Sequence, residues 1–275
     1  MTISVNQKII ATSNFPGGEC HVQISSIKIT EKTDIVAYLK SSNDIMALLL
    51  TVDAIRRTHQ KTAINLSIPY FPYARQDRVC NPGEALGVAV MARLINGLHC
   101  ESVTIFDPHS DVTPALIHNC QIITLADLVS KSILADEILN KNMTLISPDA
   151  GAEKKIQSVA KKIAESGKSV NVLCASKVRD TATGKIVSTQ IHGELLGSDF
   201  IMVDDICDGC KTFIELAKLL KSLGAQNIYL YVTHGIFSKG LDIFRENFKH
   251  IYCAHTFLEA EKVDPTFLTI LGVTQ

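Results

Sequence analysis

Residues Phe200 to Phe213 read FIMVDDICDGCKTF. An apolar run ends on two adjacent carboxylates, Asp204 and Asp205, a short polar loop follows, and a helix begins near Lys211. Strand, acidic turn and helix in that order build parallel sheets, whose ligands collect beyond the carboxyl ends of the strands. The alternation continues outward. In the second half Met143–Ser147, Val170–Cys174, Asn227–Val232 and His250–Ala254 read as strands, with helices near Gly151–Ser166 and Lys211–Leu223. In the first half the strands are Val22–Ile24, Ile35–Leu39, Ala63–Pro69 and Ser102–Phe106. Helices fall at Glu84–Asn96 and at Asn43–Arg57, where Ile45, Leu48, Leu49 and Val52 form a core stripe. An α/β chain of two tandem parallel-sheet domains is expected, 1–127 and 128–275, because one open sheet of about ten strands is uncommon.

Composition narrows the function classes. The 275 residues are 46% hydrophobic and 20% charged, and 27 Lys+Arg stand against 28 Asp+Glu. A net charge of −1 gives no global field toward nucleic acid or anionic membrane, so a basic site must be local. The longest apolar stretch, Ile45 to Val52, is far below the roughly 20 residues of a membrane span, and no charged-then-apolar leader opens the sequence. The eight scattered cysteines read as reduced thiols of a cytoplasmic protein, since a chain this long needs no covalent staples.

The loop after Val203 carries the chemistry. A loop feeding a helix N-terminus presents backbone N–H groups and a positive dipole end to a phosphate, with Thr212 adding a hydroxyl and Lys211 a charge. Carboxylates are poor phosphate ligands but good acceptors for vicinal sugar hydroxyls, so Asp204 and Asp205 point to a phosphorylated sugar. The bland alternative is a capped helix and a surface turn. Cys207 and Cys210 form a CxxC, but no second pair has zinc-ribbon spacing, so neither zinc nor redox chemistry is assigned to it. His99, His118, His192, His250 and His255 lack ligand-like spacing, and His234 reads as structural.

This loop resembles the phosphoribosyl-binding motif of type I phosphoribosyltransferases and ribose-phosphate pyrophosphokinases. PYFPYARQDR (Pro69–Arg78), FDPHS (Phe106–Ser110), SPDAG (Ser147–Gly151) and VTHGIFSKG (Val232–Gly240) follow in the order of a ribose-phosphate pyrophosphokinase, and FPGGE (Phe15–Glu19) resembles that family's first segment. The resemblance implies two domains of the type I phosphoribosyltransferase-like fold. It implies Mg²⁺-dependent transfer of the diphosphoryl group of ATP to the anomeric hydroxyl of ribose 5-phosphate, giving 5-phosphoribosyl 1-diphosphate and AMP. By the same match Arg75, Gln76 and His109 hold ATP, and Phe15 and Glu19 serve a neighbouring subunit's site, which implies a homo-oligomer. His109 and Asp149 match magnesium contacts. Asp149, Asp204, Asp205, Asp208, Gly209, Cys210, Lys211 and Thr212 match the sugar-phosphate site. Lys177 and Arg179 match the Lys-x-Arg pair of a mobile catalytic loop, with the polar stretch Asp180–Lys185 as its lid.

Departures from the family pattern matter as well. Lys211 stands where a glycine is usual, and Gly209 replaces a hydroxyl. A longer cation there suits a 5-phosphate that carries a further group, so ADP-ribose is an alternative acceptor, its product ADP-ribose 1-diphosphate feeding NAD salvage. Gly17 replaces an Asp or Asn that helps read adenine, and Ala152 a second glycine. VCNPGEALG (Val79–Gly87) replaces a basic, serine-containing run, from which weak regulation by phosphate and ADP is expected. Two further readings are a catalytically silent regulatory relative, against which the retained site residues argue, and a phosphoribosyltransferase, which leaves PYFPYARQDR and FDPHS without a task.

Overall fold

The computed structural model describes residues 3–179 and 186–272, with 177–179 and 186–189 described by their backbone. The chain divides into two compact units, Met1–Ile123 and Thr124–Gln275.

The first unit runs β1 (Ile3–Val5), β2 (Lys8–Ile9), β3 (Thr12–Asn14), β4 (Cys20–Val22), β5 (Lys32–Ala37), α1 (Ser42–Thr58), β6 (Ala63–Ile68), α2 (Gly87–Asn96), β7 (Ser102–Phe106), α3 (Val112–Leu116) and β8 (Cys120–Ile123). Its sheet has the order β2-β1-β5-β6-β7-β8. The four strands from β5 to β8 are parallel, while β1 and β2 add an antiparallel edge. The expected stripe on α1 is realised only in part: Leu48 and Val52 are buried, whereas Ile45 packs at the margin of the core. Helix α1 begins at a capping box in which Ser41 Oγ accepts from the Asp44 amide and Asp44 accepts from the Ser41 amide.

The second unit runs α4 (Leu125–Ser130), α5 (Ile133–Asn140), β9 (Thr144–Ser147), α6 (Glu153–Ala164), β10 (Val172–Arg179), β11 (Ile186–His192), β12 (Asp199–Cys207), α7 (Lys211–Ser222), β13 (Asn227–Gly235), α8 (Asp242–Arg245), β14 (His250–Thr256) and β15 (Leu268–Ile270). Its sheet order is β11-β10-β9-β12-β13-β14-β15. All pairings are parallel except β10 with β11. After β9 the chain crosses outward to β10, and it later returns to lay β12 on the other side of β9. Strand order therefore reverses between β9 and β12, the position where open α/β sheets form a ligand crevice. The sheet is buried on both faces, against Phe213, Leu216 and Leu220 of α7 on one side and Ile156, Val159 and Ile163 of α6 on the other. This explains the near-continuous apolar run of β12.

The fold class is α/β with mostly parallel sheets, and the corrections to it are local. Each main sheet carries an antiparallel edge. Strand β12 does not stop at Val203 but continues through Asp204 and Asp205 to Cys207, because β13 runs beside it as far as Gly235. Lys177 and Arg179 lie on a strand rather than a loop, their backbones paired with Thr189 and Ile186 of β11. The proposed lid, residues 180–185, lies outside the described residues. Among the described residues no helix is long and apolar enough to cross a membrane.

An ion pair ties α4 to α6. Asp127 accepts from the Thr124 amide at 3.0 Å, which caps α4, and its other oxygen accepts from Lys162 Nζ. Burial works against the charged carboxylate, but the Lys162 and Thr124 bonds outweigh it and hold Asp127 at about 2. A folded-state value below the usual carboxylate range means stability that is present above about pH 4 and lost as pH falls toward 2. Asp127→Asn is therefore expected to melt about 2–4 °C lower at pH 7. The difference from wild type closes on acidification, as followed by calorimetry; a gap that is unchanged at pH 3 contradicts the assignment.

Candidate active site

The loop between β12 and α7 carries Asp208, Gly209 and Cys210. Cys210 adopts the left-handed conformation (φ 62°) at the helix N-cap, and no side chain caps the helix there. The first-turn amides of a 12-residue helix thus face the loop, the arrangement that binds phosphate monoesters. Thr212 sits half-buried in that first turn, while Lys211 is 87% exposed with Nζ 3.6 Å from Glu215. Nothing lies within 4 Å of the position a Cβ would take on Gly209, so the loop is open on that side.

The left-handed turn at Cys210 brings the strand end back toward the helix start and sets Cys207 and Cys210 side by side, at a Cα–Cα distance of 5.6 Å. The other six cysteines are free.

The acids of the site come from neighbouring strands. Asp204 folds onto its own backbone, accepting from the Asp205 amide at 2.9 Å. Burial, then the negative charges of Asp205 and Asp149, push its carboxyl well above the usual range. Asp149 follows β9 and closes the turn before α6, accepting from the amides of Gly151 at 3.0 Å and Ala152 at 3.2 Å. A Cβ on Gly151 would stand 3.2 Å from that carboxylate oxygen, so glycine suits the turn. Ala152 has φ −83°, ordinary right-handed backbone that requires no glycine. Asp205 is buried and faces Lys155 of α6, 3.9 Å from its Nζ. Lys155 escaped the sequence reading because only the β9–β12 pairing brings it to the acids. Asp149, Asp204 and Asp205 thus gather at the sheet's reversal point.

In the first unit Arg75, Gln76 and His109 line one cavity of about 570 Å³, with Asp77, Arg78 and Glu84. Phe15 and Glu19 stand apart on the β3–β4 hairpin, closed by the Phe15 amide donating to the Glu19 carbonyl at 2.9 Å. Phe15 is 54% exposed, an aromatic ring presented outward. Gly87 lies against the Gln76 side chain, which a Cβ there would displace, since it would stand 2.2 Å from Gln76 Oε1. The reading missed Asp77, although it lies inside the flagged PYFPYARQDR. Asp77 accepts from Arg78 Nε at 2.9 Å, and that bond holds its carboxyl at about 2. In the loop after β7, Asp107 is buried with φ 39°. Glu84 closes the Val79–Gly87 loop by accepting from the amides of Cys80 and Asn81 at 2.9 and 3.0 Å, which puts an acid where a basic run was the family pattern.

Comparison with known proteins decides the class. The model of the N-terminal domain of ribose phosphate pyrophosphokinase matches residues 2–98, and that of the phosphoribosyl synthetase-associated domain matches residues 158–245. The ribose-phosphate pyrophosphokinase of Mycoplasmopsis pulmonis is 30% identical over 249 residues, covering 88% of this chain and 73% of its own. The chain belongs to the ribose-phosphate pyrophosphokinase family. The enzyme of that name from Methanosarcina acetivorans is 28% identical, across 91% of this chain and 85% of its own. The crystal structure of phosphoribosylpyrophosphate synthetase from Mycobacterium smegmatis superposes with a TM-score of 0.78 at 22% identity, over 96% of this chain and 86% of that one, and so shares the fold. Membership in the ribose-phosphate pyrophosphokinase family makes this chain an enzyme, a diphosphotransferase.

The residues matched to magnesium contacts, His109 and Asp149, fall in different units. Among the described residues no group of three His, Cys, Asp or Glu side chains forms a metal cluster. The donor chemistry fits the ion at Asp149, whose carboxylate supplies oxygen, because Mg²⁺ prefers oxygen and keeps several waters.

Proposed function

We propose that the chain transfers the diphosphoryl group of ATP to the anomeric hydroxyl of ribose 5-phosphate. The hydroxyl oxygen attacks the β-phosphorus, the bond to the α-phosphate oxygen breaks, AMP leaves, and the hydroxyl proton passes to solvent. The observation that carries this reading is the joining of Asp204 and Asp205 to an open helix N-terminus at the reversal point between β9 and β12. The acids accept from the ribose hydroxyls while Asp208, Gly209, Cys210, Lys211 and Thr212 cradle the 5-phosphate. Arg75 and Gln76, in the cavity with His109, hold the triphosphate donor. Mg²⁺, held through Asp149 and His109 directly or by water, neutralises phosphate oxygens when bound. Lys177 and Arg179 neutralise the diphosphate in flight. Phe15 and Glu19 serve the site of a second copy in a homo-oligomer. The domains that divide these tasks are 1–127 on the donor side and 128–275 on the sugar side.

A second acceptor, ADP-ribose, is favoured by one observation: Lys211 is 87% exposed and Gly209 leaves open space, so a 5-phosphate with a further group meets no wall there. The test is to incubate the protein with ATP, Mg²⁺ and either sugar and to follow AMP. Release of AMP that depends on acceptor supports the reaction, and the sugar with the higher kcat/KM identifies the substrate. AMP release with neither sugar refutes it.

A further inference from the structure

We propose that Lys155 is a positioning residue for the sugar, acting through Asp205; this rests on the acceptor site proposed above. Three carboxylates, Asp149, Asp204 and Asp205, meet where β9 and β12 end, and an acceptor that carries a phosphate must approach them. Uncompensated, that crowding repels the ligand and lets Asp205 turn toward solvent. Two of the acids are fixed by backbone: Asp149 by the amides of Gly151 and Ala152, Asp204 by the Asp205 amide. For Asp205 the contact from α6 is Lys155, with Nζ 3.9 Å from Oδ2. Both side chains are sheltered, Asp205 at 12% and Lys155 at 35% exposure, so the pair is screened less than a surface one.

The fold makes this contact specific. Helix α6 starts two residues after Gly151, directly after the turn that Asp149 closes, and Lys155 is its third residue. One element thus delivers Asp149 and Lys155 together to the end of β12. A cation on that turn orients the Asp205 carboxylate as a hydroxyl acceptor and offsets the acid cluster as the phosphorylated sugar arrives. Its effect belongs to acceptor binding and not to ATP or to the transfer step.

The test is a cycle of variants in the full-length protein: Lys155→Met, Lys155→Arg, Asp205→Asn and the double variant Lys155→Met/Asp205→Asn. Ribose 5-phosphate binding is measured by calorimetry, with KM for both substrates alongside. Lys155→Met is expected to weaken ribose 5-phosphate binding about 10-fold, with KM for ATP and kcat changed less than about 2-fold. Lys155→Arg recovers most of the loss. In the Asp205→Asn background the methionine costs less than about 2-fold, because its partner charge is already gone. Unchanged binding by Lys155→Met, an equal loss in the Asp205→Asn background, or no recovery by arginine each overturns the proposal. Lys155→Gln serves as a second neutral variant if the methionine lowers the melting temperature. Binding needs no turnover, so a wild-type chain that binds ribose 5-phosphate but releases no AMP contradicts the proposed reaction alone. A chain that binds no ribose 5-phosphate overturns both.

Discussion

Lys177→Ala is expected to lower kcat by about 10²-fold or more while KM for ATP stays within about 3-fold. Phosphoryl transfer asks little covalent chemistry of a protein; the rate comes from holding donor and acceptor in line and from neutralising charge that spreads over the equatorial oxygens. A cation that meets the diphosphate only in transit contributes to kcat and not to ground-state binding. Lys177 and Arg179 lie two residues apart on β10, their backbones paired with Thr189 and Ile186 of β11. Steady-state kinetics with varied ATP checks the split. A fall in kcat of less than about 5-fold, or a rise in KM for ATP that accounts for the whole effect, counts against the assignment.

Asp205→Ala is expected to raise KM for ribose 5-phosphate by about 10- to 100-fold, the cost of losing a charged hydrogen-bond acceptor. The loss has two sources. The sugar hydroxyl loses its acceptor, and Lys155 loses the carboxylate that stood 3.9 Å from its Nζ. KM for ATP is expected to stay within about 2-fold, which separates this variant from a general disturbance of the fold. Equal changes in both KM values contradict the assignment of Asp205 to the sugar.

Much of this was legible in the residues. Ser102–Phe106 is β7 as read, and Lys211 opens α7 as read, because an apolar run of strand length and a helix of clear period each carry their own signal. The elements that escaped are those whose signal is non-local. Lys8–Ile9 is a strand only because β1 pairs with it, and Cys120–Ile123 is one only because β7 stands beside it. The extension of β12 through Asp204 to Cys207 runs against the low strand propensity of Asp and is imposed by β13. Helix α4 did carry a local mark, the Thr124–Asp127 capping box, which was read past as a seam between domains.

The site divides along the same line. Asp204 and Asp205 stood out as an acidic pair ending an apolar run before a helix, whereas Gln76 and His109 were marked only by the family resemblance of their segments. Partners that hold them carried no such mark. Nothing in SPDAGAEKK separates Lys155 from Lys154 until β9 and β12 are placed side by side. Asp77 looks like one charge among several until the fold buries it with Arg78 bound to its carboxylate. The approach of Cys207 and Cys210 depends on a left-handed residue at Cys210, a backbone state that the sequence does not advertise for a cysteine.

The central claim is that two phosphoryl groups move together from one nucleotide to one sugar. The most direct measurement follows the β-phosphorus of ATP, labelled with ³²P, in a reaction with Mg²⁺ and the acceptor sugar. The account predicts that the label arrives in the sugar product while AMP forms unlabelled. Label retained in ADP, or released as free pyrophosphate with no labelled sugar, contradicts it.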